Sequence, residues 1–157
     1  SMSGVADKHA GHTAYYRRYP LYPGYDTGSE DGKPLAPLLG ELNGYDGGTT
    51  DLQIGMLNNF LMYSDHVVGY RFLPKGLQET DIQTVWMVRA DAEEGRDYDL
   101  EKLIWLWDVT TRADEKIIRH NQAGVNSFHY QGGPLSEMEY GIVDFYADYL
   151  ELLGRDI

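Results

Sequence analysis

The hydrophobic period of this chain changes once, from two to 3.6, near residue 99, and that change limits the fold more than any other feature. Before it, residues 52–63 (LQIGMLNNFLMY) and 66–73 (HVVGYRFL) are apolar, aromatic or β-branched, with Ser64-Asp65 between them. They read as two antiparallel strands joined by a tight turn. A Pro-Lys-Gly turn at 74–76 follows. A third strand is expected over 80–90, where Ile82, Thr84, Trp86 and Val88 alternate with Gln83, Val85, Met87 and Arg89, one face wet and one buried. After it, Leu100, Leu103, Ile104 and Trp107 follow helical spacing behind Asp99, a natural N-cap, and residues 112–122 continue as a second helix or a bent extension. Ser136 and Glu139 form a capping box ahead of Met138, Ile142, Phe145, Tyr149 and Leu152, the stripe of a terminal helix from Ser136 to Leu153 that ends at Gly154. Strands first and helices second mean α+β: an antiparallel sheet with helices on one face.

Residues 1–49 lack either period. Pro20, Pro23, Pro34 and Pro37, many glycines and the tyrosines Tyr15, Tyr16, Tyr19, Tyr22 and Tyr25 read as an irregular segment with one short helix near 36–40. A stretch this long without regular structure is rarely a compact domain's own core, so it is expected to pack on something else. Ser1-Met2 reads as a cloning junction or, with Met2, as a native start.

Charge and cysteine count narrow the chemistry. Asp+Glu number 25 against 13 Lys+Arg, a formal net charge of -12, which opposes binding to nucleic-acid phosphates. No apolar run approaches a bilayer span and no signal peptide opens the chain, so a cytoplasmic location is expected. The chain has no cysteine, which removes disulfides, thiolate metal sites and cysteine nucleophiles from consideration. Glycine-rich phosphate loops and nucleophile elbows are missing.

Among the histidines, His9 and His12 have a spacing that permits metal ligation, though an incidental solvated pair is the plainer reading. His66 opens an apolar strand and points into the core or a cavity. His120 is placed at a helix end, where the dipole favours an imidazolium, and His129 lies in an aromatic loop beside Phe128 and Tyr130. Asp114 shares a helical stretch with Ile117 and Ile118, which lie on a stripe expected to face the core, and at 100° per residue it is about 80° from Gln122. Asp114 and Gln122 can therefore face one cavity, or Asp114 can be a first-turn acid favouring the dipole.

A set of separated pieces is more specific. Trp107-Asp108-Val109-Thr110-Thr111-Arg112-Ala113-Asp114, then Ile117-Ile118, then Asn121-Gln122-Ala123-Gly124-Val125, then Tyr130-Gln131-Gly132-Gly133-Pro134-Leu135-Ser136 with Glu139, resembles the end of the catalytic domain of Rieske-type non-haem iron oxygenases. These are the ring-hydroxylating alpha subunits, and the similarity is nearest to the branch acting on choline, glycine betaine and carnitine. It covers residues 50–154 and implies a curved sheet over a long C-terminal helix (helix-grip-like), with the N-terminal part of the domain incomplete.

What the resemblance implies about chemistry is one mononuclear Fe(II) held by two His and one carboxylate, with open positions for dioxygen, and a Rieske [2Fe–2S] cluster in a separate N-terminal domain. Asp114 matches the iron carboxylate, Gln122 its orienting neighbour, and Trp86 a cavity wall. The family's histidine-bearing helix has no counterpart, and His9-x-x-His12 is too closely spaced to replace it. The two histidine ligands are therefore expected outside this chain, and residues 50–157 form a partial catalytic domain, inactive and without cofactor when alone. The whole enzyme would use dioxygen to hydroxylate or demethylate an aromatic or quaternary-amine substrate, take electrons from a reductase or ferredoxin, and assemble as a homo-oligomer, a trimer by family resemblance. No nucleic acid or membrane partner is expected. The competing reading is a small-ligand binding or interaction domain on the same scaffold. For the cavity, Met56, Asn58 and Phe60, or their odd and even neighbours, are expected to face the terminal helix together with Trp86.

Overall fold

The structure, a computed structural model, describes residues 3–9 and 12–154, with side chains from residue 16 onward except at 138 and 140. Contacts divide the chain into two units, Ser1–Leu106 and Trp107–Ile157. The first contains a six-stranded sheet ordered along the chain: β1 (Ser3–His9), β2 (His12–Pro20), β3 (Gly48–Ile54), β4 (Asn58–Met62), β5 (Val67–Gly76) and β6 (Glu79–Met87), each antiparallel to the next. Helix α1 runs from Leu100 to Val125, and a single 3-10 turn, Glu137–Glu139, leads into α2, Tyr140–Leu152. The α+β class with an antiparallel sheet is thus as expected.

Three expectations about the sheet need correction. The segment read as irregular up to residue 49 contributes two strands, because β2 finds a full-length partner in β3, from Ala14 opposite Ile54 to Pro20 opposite Gly48. The tyrosines that made it look loop-like are good strand formers, and Pro20 is tolerated because it ends the strand. No break separates 1–49 from the rest of the sheet, and the segment near 36–40 is bends and turn without a helix.

Residues 51–63, read as one strand, are two. Gly55 takes a φ of 62° and Gly55-Met56-Leu57 turn the chain, so that Ile54 pairs with Asn58. The interrupting glycine was the signal, since only glycine adopts that φ without strain. The 74–76 turn also moves: β5 continues through a register shift between Pro74 and Gly76, and the reversal falls at Leu77-Gln78.

Helix boundaries follow their local chemistry. Asp99 Oδ1 accepts the Lys102 amide at 3.0 Å and its carbonyl accepts the Leu103 amide, as an N-cap should. The two expected helical pieces are one continuous helix. At the second start Glu139 Oε2 reaches back to the Ser136 amide at 2.7 Å, the reciprocal arm of the capping box. The side chain of Met138 lies outside the described residues. Gly154, at a φ of 63°, donates its amide to Glu151 O and closes α2.

Burial is distributed unevenly. The buried apolar residues are Ala36, Tyr63, Val68 and Leu103, and the buried polar ones are Thr27, Ser29, Ser64, Asp65 and His66. Within β6 only Thr84 and Trp86 are half-buried and the rest is exposed, so the expected buried face is only partly formed within this chain.

Candidate functional site

Asp114 lies on the exposed part of α1, and its neighbours show what distinguishes it. Asp108 accepts from Arg112 Nε at 2.8 Å and Glu115 from Arg119 Nε at 2.8 Å, both i,i+4 pairs. The Asp114 carboxylate makes no hydrogen bond or ion pair among the described residues. Gln122 is not drawn to it. A continuous helix separates the two by about 12 Å along the axis and about 80° around it, and Gln122 Nε2 donates instead to Asn126 Oδ1 at 3.1 Å. Ile117 and Ile118, expected on a core-facing stripe, are 65% and 58% exposed.

Trp86 is opposite Val68 in the β5–β6 register, and Val68 is opposite Leu61 of β4. The face that carries Trp86 therefore also carries Leu61 and Asn59, whereas Phe60 and Asn58 point the other way and Met56 belongs to the turn. On that face Trp86 Nε1 and Asn59 Oδ1 are buried without hydrogen-bond partners. Buried polar atoms are normally satisfied, so a donor and an acceptor left open on one face mark where a further group would fit.

The histidines divide. His9 and His12 pair across the β1–β2 turn, with side chains outside the described residues. His120 is exposed within α1, five residues short of its end. His129 packs edge-on to Phe128, centroids 5.3 Å apart. His66 is fully buried and belongs to a polar cluster at the β4–β5 turn that sequence reasoning missed. Its Nδ1 lies 2.8 Å from Asp65 Oδ1, which also accepts from Thr27 Oγ1 at 2.6 Å, while Asp65 Oδ2 accepts the Leu35 amide at 2.8 Å. Tyr63 stacks on the imidazole at 4.7 Å. Burial pushes the Asp65 carboxyl up, but the hydrogen bond and charge of His66, with Thr27 and the Leu35 amide, hold it below the usual carboxylate range. Thr27 and Asp65 are 38 residues apart, so no local pattern announces the contact.

Beside the cluster, Arg18 joins Asp46 at 2.5 Å and Thr50 Oγ1 at 3.1 Å; Arg18 and Asp46, with Tyr19, Pro20, Gly47 and Gly48, line a cavity of about 230 Å³. None of its residues is one that the sequence singled out for chemistry. Among the described residues no three His, Cys, Asp or Glu side chains come together in a group that could hold a metal ion.

Residues 58–155 match the family described as ring hydroxylating alpha subunit (catalytic domain). The chain belongs to this family. It is 41% identical over 134 residues to the glycine betaine monooxygenase oxygenase subunit of Chromohalobacter salexigens, covering 82% of this chain and 29% of that protein. To the subunit of the same name from Pseudomonas aeruginosa it is 36% identical over 143 residues, 89% of this chain and 33% of that one. It therefore spans about a third of the length of the relatives it matches. The matched region holds β4 to α2, including Asp114, Gln122 and Trp86. No helix among the described residues is long and apolar enough to cross a membrane.

Proposed function

We propose that this chain is the C-terminal part of the catalytic domain of a Rieske-type oxygenase acting on a quaternary amine, with Asp114 as the carboxylate ligand of its iron. What supports the substrate class is the similarity over most of the chain to glycine betaine monooxygenase oxygenase subunits; an aromatic substrate has no such support. What supports Asp114 is its position eight residues before Gln122 in the family pattern and its carboxylate left without a partner while Asp108 and Glu115 are engaged by arginines. Two histidines outside the chain complete the ligand set. Iron held this way supplies dioxygen activation, and electrons come through a [2Fe–2S] cluster whose cysteines lie elsewhere, since this chain contains none. A reductase or ferredoxin feeds that cluster, and the whole enzyme is a cytoplasmic homo-oligomer, a trimer in this reading.

The chain's own contribution is to position. α1 carries the carboxylate on a rigid element, as an anionic ligand requires. The sheet face bearing Trp86 offers an indole to a cationic nitrogen, which aromatic faces attract, and the open Asn59 acceptor two strands away on the same face offers a polar contact.

Iron analysis separates these roles. The purified 157-residue chain is expected to hold no stoichiometric iron and to show no turnover, because one carboxylate cannot hold Fe(II) against water. A protein of the relatives' full length is expected to bind a mononuclear iron besides the iron of its [2Fe–2S] cluster, and to lose only the mononuclear one on Asp114→Ala. Mononuclear iron retained in that variant, or about one iron per isolated chain, would overturn the assignment.

A further inference from the structure

The excursion between β2 and β3, residues 21–47, is a strap closed on itself and tied down by polar groups. Its ends meet where the Leu21 amide donates to Gly47 O at 2.8 Å. Inside it, the Asp26 amide donates to Gly32 O at 2.8 Å and Ser29 Oγ to Lys33 O at 2.8 Å. Tyr25 lies so close over Gly32, and Tyr63 over Gly28, that a Cβ at either glycine would come within 2.4 Å of the ring. The strap's buried side chains are Thr27, Ser29 and Ala36, which offer little apolar area to hold it in place. What joins it to the β4–β5 turn is hydrogen bonding: Thr27 and the Leu35 amide to Asp65, and the Leu39 amide to Ser64 O at 2.9 Å.

We propose that the Thr27–Asp65–His66 cluster is an acid-released latch: a proton taken up at Asp65 frees the strap while strands β2 to β6 stay paired. Every bond at the carboxylate is one it accepts. Oδ1 takes both Thr27 Oγ1 and His66 Nδ1, and Oδ2 takes the Leu35 amide. On Oδ2 a proton faces the Leu35 amide, which can only donate, so that bond breaks; on Oδ1 it is accommodated only if the Thr27 hydroxyl turns or the imidazole changes tautomer, so the present arrangement is lost either way in a buried setting. The ring of His66 is fully buried with Nε2 lacking a partner, so Asp65 is its hydrogen-bonding neighbour on the Nδ1 side.

Other titratable and charged groups surround the cluster. From the strap, Asp26 and Tyr45 face the cluster, and burial together with Asp65 and Asp26 pushes the Tyr45 phenol up. From the turn come Tyr63 and Ser64, and Ser64 Oγ reaches Asp46, which Arg18 of β2 holds. That Arg18–Asp46 pair and the Leu21–Gly47 bond keep the strap's ends in place, so release swings its middle rather than unthreading it. The latch does not depend on the oxygenase reading.

Hydrogen exchange of the 157-residue chain at about pH 7 and about pH 2, corrected for each amide's intrinsic rate, tests it. The Leu35 and Leu39 amides are expected to lose at least about tenfold in protection at the lower pH while those of β4 and β5 keep theirs. Asp65→Asn should leave the strap open at both values with the sheet intact. Thr27→Val keeps the carboxylate but removes one donor, and should move the release to higher pH; it also decides the matter should Asp65→Asn not fold. Protection of Leu35 and Leu39 at low pH, loss in step with the strands, or a Thr27→Val midpoint equal to the parent's would each overturn the latch.

Discussion

The strap with the β4–β5 turn and the two helices are opposite in what they show. The strap has no regular structure, yet it and the turn contain Thr27, Ser29, Ala36, Tyr63, Ser64, Asp65 and His66, all buried. α2 is a regular amphipathic helix, yet Ile142, Val143, Phe145, Tyr146, Tyr149 and Leu152 are all exposed within this chain. Regularity and burial are therefore separate properties. A helix satisfies most of its own backbone hydrogen bonds, whereas an irregular segment leaves amides such as Leu35 and Leu39, which Asp65 and Ser64 of the β4–β5 turn satisfy.

The contrast is open to test, the largest effect first. Asp65→Ala leaves three donors facing an empty space and should cost about 3 kcal/mol of unfolding free energy, read from urea denaturation. A loss near zero would mean that the strap contributes nothing to the fold. Gly32→Ala is next: at a φ of 76°, with Tyr25 against it, a methyl should cost about 2 kcal/mol. The same change at Gly124 of α1, where a Cβ meets nothing, should stabilise by about 0.5 kcal/mol. Equal signs at the two glycines would erase the distinction between the regions.

The pH dependence sharpens it further. The folded Asp65 carboxyl lies below its unfolded value, so its contribution is complete above the unfolded carboxylate range and is lost as pH falls through the folded value. Urea midpoints should therefore fall on acidification in the parent more than in Asp65→Asn. Parallel slopes would place the acid sensitivity elsewhere. Smallest of all, Ile117→Ala and Asp114→Ala on exposed α1 should each stay within about 0.5 kcal/mol of the parent. For Asp114 that near-silence matters, because iron loss in a full-length protein could then not be attributed to misfolding.

Legibility followed the range of the interactions. Asp99 as an N-cap, the Ser136–Glu139 box, Gly154 as a helix stop and the Ser64-Asp65 turn were all readable, since each is settled within four residues. Gly55 was readable in principle and passed over: a glycine amid strand formers marks a reversal when the run is too long for one strand. β2 was not readable, because its strand character depends on β3, a partner some thirty residues on. Asp114 came into view through the ordered pieces around it rather than through any periodicity.

By itself, then, the sequence determined the kind of each later element, the starts and stops of the helices, the absence of thiolate chemistry and the family to which the pieces belong. Tertiary structure alone decided that Trp86 shares a face with Asn59 and Leu61, that His66 has Asp65 and Thr27 for partners, and that the unpatterned strap buries Thr27, Ser29 and Ala36. The reason is physical. Caps, turns and periods express energies between residues near in sequence, while burial and buried hydrogen bonds depend on which distant segments meet, and no local pattern records that.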